Sequence, residues 1–176
     1  AMDAAVDAAV LSLAAKGVVS AASAMVLSPR WREAALALRD APLSKGLHLD
    51  LTSPFARSNP AGSFLPTLLL RAHAGWTNAA SLRETIDRQL DLFEAGLGTS
   101  PDFVDGHQHV HHFPGVRDAL LERLAARYGR AAASIGLRVC IPRRWRGAKA
   151  AAIAATGAQA FARLAAKRSL STNSDF

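Results

Sequence analysis

Cysteine is nearly absent from this chain of 176 residues: Cys140 stands alone, which excludes an internal disulfide framework. A lone thiol suits a reducing compartment, and a cytoplasmic protein is the expectation. No uninterrupted apolar stretch approaches the length that crosses a bilayer, and no signal-peptide layout opens the chain. Ala4 to Ala15 is apolar enough to imitate a signal core, but Asp7 interrupts it and no basic segment precedes it. No membrane partner is expected.

Acidic residues are missing from the last third. Between Arg123 and Asn173 there is no Asp or Glu, while Arg and Lys supply eleven positive charges, the main source of a net charge of +7. Such a bias can mark a surface for phosphate or nucleic acid. Aromatics are scarce there, however: Tyr128 and Trp145 are the ones that offer stacking, and no nucleic-acid motif accompanies them. The favoured reading is a basic surface whose acidic partners lie on another segment or subunit. Nucleic acid is not an expected partner.

What is present is enough for one domain spanning 1–176. Half the residues are hydrophobic and a fifth are charged, the usual mixture of a globular chain with a substantial core. Helical composition from Asp3 to Lys16 stops at Gly17, and strand-like Val18 to Leu27 closes at Ser28-Pro29. Trp31 to Arg39 reads as a short helix. Gly46 to Leu51 alternates, with Leu47, Leu49 and Leu51 on one face and His48 and Asp50 on the other.

Thr52 to Gly62 is loop, Leu65 to Ala74 helix, and Thr77 or Asn78 caps an amphipathic helix through Ala95. Phe103 to His111 is expected as a strand and Pro114 to Tyr128 as a helix with Pro114 in its first turn. Gly136 to Ile141 is expected as a strand, Gly147 to Lys167 as one helix, and Ser171 to Phe176 as irregular chain. Strands that alternate with helices imply parallel strands joined by crossovers: an α/β fold, as an open sheet or a barrel. Four strands are too few for the usual eight-stranded barrel.

The densest chemistry is Asp105-Gly106-His107-Gln108-His109-Val110-His111-His112, which holds four of the six histidines and a carboxylate within eight residues. On an extended strand Asp105, His107, His109 and His111 would share a face. Neutral imidazole is the commonest metal ligand, and a nearby carboxylate can orient its ring. The run therefore reads as one wall of a metal site. Residues two apart on a strand lie roughly 7 Å apart, so a single ion is not expected to take all three of His107, His109 and His111. One direct ligand, with the others shaping the pocket or touching substrate, is the expectation.

His112 would point the other way, and His73 has a packing or surface role by default. His48 is the second key residue. A strand histidine alone is more often a satisfied structural group than a ligand. Two histidine strands in one α/β fold favour a site, because such sites form at strand C-terminal ends. Asp50 could orient a ligand, whereas Thr52 reads simply as the start of a turn.

Gly46-Leu47-His48-Leu49-Asp50-Leu51-Thr52, followed by Pro101-Asp102-Phe103-Val104-Asp105-Gly106-His107-Gln108-His109-Val110-His111, resembles the YdjC-like carbohydrate deacetylases. Thr172-Asn173 and a following phenylalanine also resemble a later segment of that family. The resemblance implies an incomplete (β/α)-barrel-like fold of the polysaccharide-deacetylase type. It also implies one divalent metal ion, Mg2+ or Zn2+, held by His48 and His107, and hydrolysis of the N-acetyl group of an acetylated amino-sugar substrate. Family habit adds a homodimer.

The family's Ala-Asp-Asp-Phe/Tyr-Gly motif, which supplies a metal ligand and the catalytic base, has no counterpart in Ala1-Met2-Asp3-Ala4-Ala5-Val6-Asp7. Those residues resemble the helix after it, with Asp3 as N-cap. The family also continues beyond the Thr-Asn segment. The expectation is a domain trimmed at both ends, or else a degenerate homologue that binds metal or sugar without catalysis. In the catalytic reading Asp105 orients a ring or the attacking water, while His109 and His111 contact the sugar. A phosphate- or nucleic-acid-binding module built on the basic third ranks last.

Overall fold

Four short strands, β1 (Ala21–Ala24), β2 (Ser44–Leu49), β3 (Phe103–Gly106) and β4 (Gly136–Leu137), lie side by side in that order. All neighbours run parallel, in a computed structural model that describes residues 3–174. Helices make the crossovers: α1 (Ala4–Ala15) precedes β1 and α2 (Trp31–Arg39) leads to β2. Next, α3 (Leu65–His73) and α4 (Ala79–Leu97) lead to β3, and α5 (Val116–Tyr128) leads to β4. The chain continues into α6 (Ala148–Ala155) and α7 (Ala158–Lys167). Successive parallel strands alternating with helices match the expected arc of a barrel-like α/β fold.

Local chemistry explains the helix ends. The Asp3 carboxylate accepts the Ala5 amide at 2.7 Å, and the Asn78 side chain accepts the Ser81 amide at 3.0 Å. α4 stops at Gly98 in the left-handed region, the usual helix terminator. Pro114 falls just outside α5, because Gly115 caps that helix and its amide donates to Asp118 at 3.1 Å. The single helix expected over Gly147 to Lys167 is two. Gly157, at φ 125°, breaks it, and a Cβ there would fall 2.5 Å from the His112 carbonyl oxygen.

The strand expectations held in place and failed in length. β1 and β4 are shorter than the apolar runs around them, and Val18 is exposed. The larger correction concerns Phe103 to His111. β3 ends at Gly106, and His107–His112 wind into a tight 3-10 turn with Gln108 and His109 at φ 52° and 60°. Past Ser134, the Thr172 backbone bridges in parallel to Leu137, and the Asn173 side chain pairs with both amide and carbonyl of Val139. The tail expected over Ser171 to Phe176 is therefore ordered at its start, and its last two residues, Phe176 included, lie outside the described residues.

One sheet face is apolar. Leu47, Leu49, Val104 and Leu137 are buried and join Ile86, Leu90 and Phe93 of α4 with Leu120 and Leu124 of α5 in one hydrophobic cluster. Each fully buried leucine contributes about 1.5–3 kcal/mol, so this face anchors the domain. The other face carries Ser23, His48, Phe103 and Asp105, and a cavity of about 450 Å³ lies against it between Ala21, Phe103, Gly136, Arg138 and Thr172.

Arg123 meets Asp87 at 2.8 Å, and Arg127 meets Asp91 and Glu94, each at 2.6 Å, so these two basic residues find their acidic partners on α4. Among the described residues no helix is long and apolar enough to cross a membrane.

Candidate metal centre

Register builds the centre. β2 and β3 pair so that His48 lies opposite Asp105, which puts both side chains on the polar face at neighbouring positions. The His48 Nδ1–H donates to Asp105 Oδ1 at 2.7 Å. Ser23, on the same face of β1, brings its hydroxyl to 3.2 Å from both His48 Nδ1 and Asp105 Oδ2. Arg138 reaches the same carboxylate from beyond β4, at 3.4 Å. Burial pushes the Asp105 carboxyl up, but the hydrogen bond from His48, with help from Ser23, outweighs it and holds the group below the usual range.

This arrangement fixes one tautomer. With Nδ1–H committed to Asp105, His48 presents the lone pair of Nε2 away from the carboxylate, the configuration used by metal-bound imidazoles with a carboxylate behind them. His48 and His107 converge: their ring centroids lie 5.6 Å apart and the rings meet edge to face. Two imidazoles sharing one ion through bonds of about 2.0–2.1 Å need a separation of this order. Burial, first among the influences, lowers the His107 pKa against the opposing pull of Asp50, so the ring stays neutral and able to donate an electron pair. The donor set fits a divalent ion.

The turn after β3 distributes the remaining histidines. Left-handed backbone at Gln108 and His109 costs of order 1–2 kcal/mol per residue, and such strain gathers at functional sites. It ends the alternation expected from the sequence. His109 stays half-buried, its Nδ1 3.3 Å from the Cys140 sulfur. His111 and His112 turn inward and are fully buried.

His111, expected to touch substrate, presents no surface. Its Nε2–H donates to the Arg138 carbonyl at 2.8 Å, and burial drives its pKa far below the ordinary value. His112 is pushed down to about 4, again chiefly by burial. Together with Cys140, these two rings offer three donor atoms within 4.8 Å of one another, a group that could hold a metal ion. His73 keeps its packing role, with its ring 5.8 Å from that of Phe113.

Asp50 proves to be scaffolding. Its carboxylate is fully buried and accepts the amides of Thr52 and Ser53 and the Ser53 hydroxyl, which ties off the turn after β2. Gln89 of α4 clamps the same residue from behind, accepting its amide at 2.9 Å and donating to its carbonyl at 2.8 Å. The C-terminal end of the strand that carries His48 is thus fixed.

Ser23, Arg138, Cys140 and Gln89 escaped the sequence reading. Gln89 left a trace, as a polar residue on the otherwise apolar Leu82-Ile86-Leu90-Phe93 face. Ser23 left none, because its role depends on strand register.

Two imidazoles and a carboxylate thus stand at the C-terminal ends of adjoining parallel strands, where open α/β sheets carry their binding sites. The family model for YdjC-like protein matches residues 1–176, and the chain belongs to that family. A carbohydrate deacetylase of Mus musculus is 36% identical over 155 residues, covering 80% of this chain and 49% of the relative. A carbohydrate deacetylase of Homo sapiens is 34% identical over 125 residues, covering 64% and 38%. A chitooligosaccharide deacetylase of Serratia marcescens is 35% identical over 107 residues, covering 57% and 42%. The chain spans about half, or less, of the length of these curated relatives.

Proposed function

We propose that this chain carries the metal-holding part of a carbohydrate N-deacetylase, which hydrolyses the acetamide of an acetylated amino sugar to acetate and a free amine. One observation carries the reading: His48, oriented by Asp105, stands beside His107 at the ends of adjacent strands. The names of the relatives supply the substrate class. A divalent ion held by His48 Nε2 and His107 would polarise the acetyl carbonyl and lower the pKa of a water molecule. Imidazole donors favour an ion of the zinc class, and a carboxylate completing the set makes magnesium acceptable as well.

The residues of this chain do the rest by position. Asp105 keeps the His48 proton on Nδ1, and Ser23 and Arg138 keep Asp105 in place. The half-buried His109, at the turn beside His107, is the histidine placed to meet a sugar hydroxyl; the enclosed His111 supports the turn instead. Neither Asp50 nor Asp105 is free to act as general base, since hydrogen bonds already engage both. The reading therefore assigns the base to a carboxylate from outside this sheet. Cys140, a buried free thiol, suits the cytoplasm.

Acetate release from N-acetylglucosamine oligomers by the full-length protein tests the reading, with His107→Ala as the comparison. The reading expects metal-dependent release that this variant abolishes. Full activity in the variant rejects the assignment, and sugar or metal binding with no release in the wild type favours a non-catalytic homologue.

A further inference from the structure

His48 and His107 leave the enclosed His111 and His112, and the single cysteine of the sequence, without a task in catalysis or metal holding. We infer that His111, His112 and Cys140 form a second cation site of structural character, suited to a thiolate-seeking divalent ion of the zinc class. Donor atoms of the first three lie within 4.8 Å of one another, and all three residues are buried. Cys140 Sγ is also 3.3 Å from His109 Nδ1, so the thiol sits among imidazoles. The rings of His111 and His112 lie 4.1 Å apart, and that of His109 lies 6.3 Å from His112. Two imidazoles and one thiolate, with the fourth tetrahedral position left to water, make a set that zinc accepts and magnesium does not.

A second observation points to a ligand. Nδ1 of His111 and Nδ1 of His112 are enclosed by protein and have no hydrogen-bond partner. Buried polar atoms in that condition cost roughly 1–3 kcal/mol each, and native proteins leave few of them. The His111 Nε2–H is spent on the Arg138 carbonyl, so its Nδ1 carries the lone pair. That nitrogen packs against Gly106, where a Cβ would come within 2.5 Å of it. Ions at this group would satisfy orphaned nitrogens that the fold itself leaves unpaired. Bonds of about 2.0–2.3 Å hold donors roughly 3.5 Å apart, so donors that lie within 4.8 Å of one another would draw together on binding.

Binding is a proton exchange. The Cys140 S–H bond breaks, its proton passes to solvent, and the sulfur electron pair forms the bond to the ion. Burial, which pushes the thiol up to about 11 in the metal-free protein, keeps the site closed to soft oxidants until the ion arrives. The structural consequence is a tie between the turn after β3 and the segment after β4. His111 and His112 already share the Arg138 carbonyl across that junction. The ion would lock the turn that holds His107.

Cobalt(II) titration of the reduced, metal-free chain tests this without reference to deacetylation. The expected result is a thiolate-to-cobalt charge-transfer band with tetrahedral visible bands. The charge-transfer band vanishes in Cys140→Ser and persists in the double variant His48→Ala, His107→Ala. Cys140→Ala serves where serine disturbs folding, with circular dichroism as the check. Absence of the band in the wild type, its survival without the thiol, or its loss in the double variant would each overturn the inference. Failure of acetate release would leave this result untouched, so the two readings fall separately.

Discussion

Asp105→Asn keeps the shape of the side chain and removes its charge, and that makes it the sharpest probe of the site. The carboxylate receives the His48 Nδ1–H at 2.7 Å, the Ser23 hydroxyl at 3.2 Å and Arg138 at 3.4 Å. An amide can turn an N–H toward His48, which moves the ring proton to Nε2 and occupies the very lone pair the ion needs. Partners that orient metal-bound histidines are worth about 10–100-fold in affinity. At about 1.4 kcal/mol per factor of ten, the variant loses roughly 1.4–2.7 kcal/mol of metal binding. The losses in folding stability are smaller, about 1–2 kcal/mol, because the hydrogen bonds survive as neutral ones.

Zinc affinity measured by chelator competition reads the first number, in a Cys140→Ser background that silences the second site. Long-range proton–nitrogen NMR of the imidazoles reads the tautomer directly. Unchanged affinity together with an unchanged His48 tautomer would refute the argument.

Gln89→Leu should destabilise the chain by about 2–5 kcal/mol in urea unfolding, since it orphans the buried amide and carbonyl of Asp50; a cost below 1 kcal/mol would show that the clamp is dispensable. Gly106→Ala should cost about 1–3 kcal/mol, because its methyl group would fall 2.5 Å from His111 Nδ1, and a neutral thermal shift would contradict that packing.

The metal-free protein should also lose stability on acidification. His112 accepts a proton near pH 6.5 when unfolded but only at about 4 when folded, so the unfolded state binds more protons in that window. Stability is full above about pH 6.5 and falls by about 3 kcal/mol by pH 4, at about 1.4 kcal/mol per pH unit. His112→Leu should flatten that part of the curve, and superimposable pH profiles for the two proteins would exclude the contribution.

The order of elements was legible because each helix carries its own stop and start signals: Gly17 after α1, Asn78 before α4, Gly98 after it. His48 and His107 were picked out as a pair through the family pattern, and their rings lie 5.6 Å apart. The alternation of Asp105, His107, His109 and His111 misled, because period-two reasoning assumes a continuing strand and the backbone turns left-handed at Gln108 and His109. Nothing local announces that turn, since neither residue is glycine. Contacts that cross the sheet, Ser23 to His48 or Arg138 to Asp105, depend on register between distant segments and leave no periodicity to read. The separation of His111 from the pocket follows from the same turn.

Anomalous diffraction from crystals of the full-length protein soaked with zinc addresses the core of the account. A peak bonded to both His48 Nε2 and the His107 ring, with Asp105 still behind His48, is the predicted result. A protein that deacetylates sugars while its ion binds without either ring would contradict it.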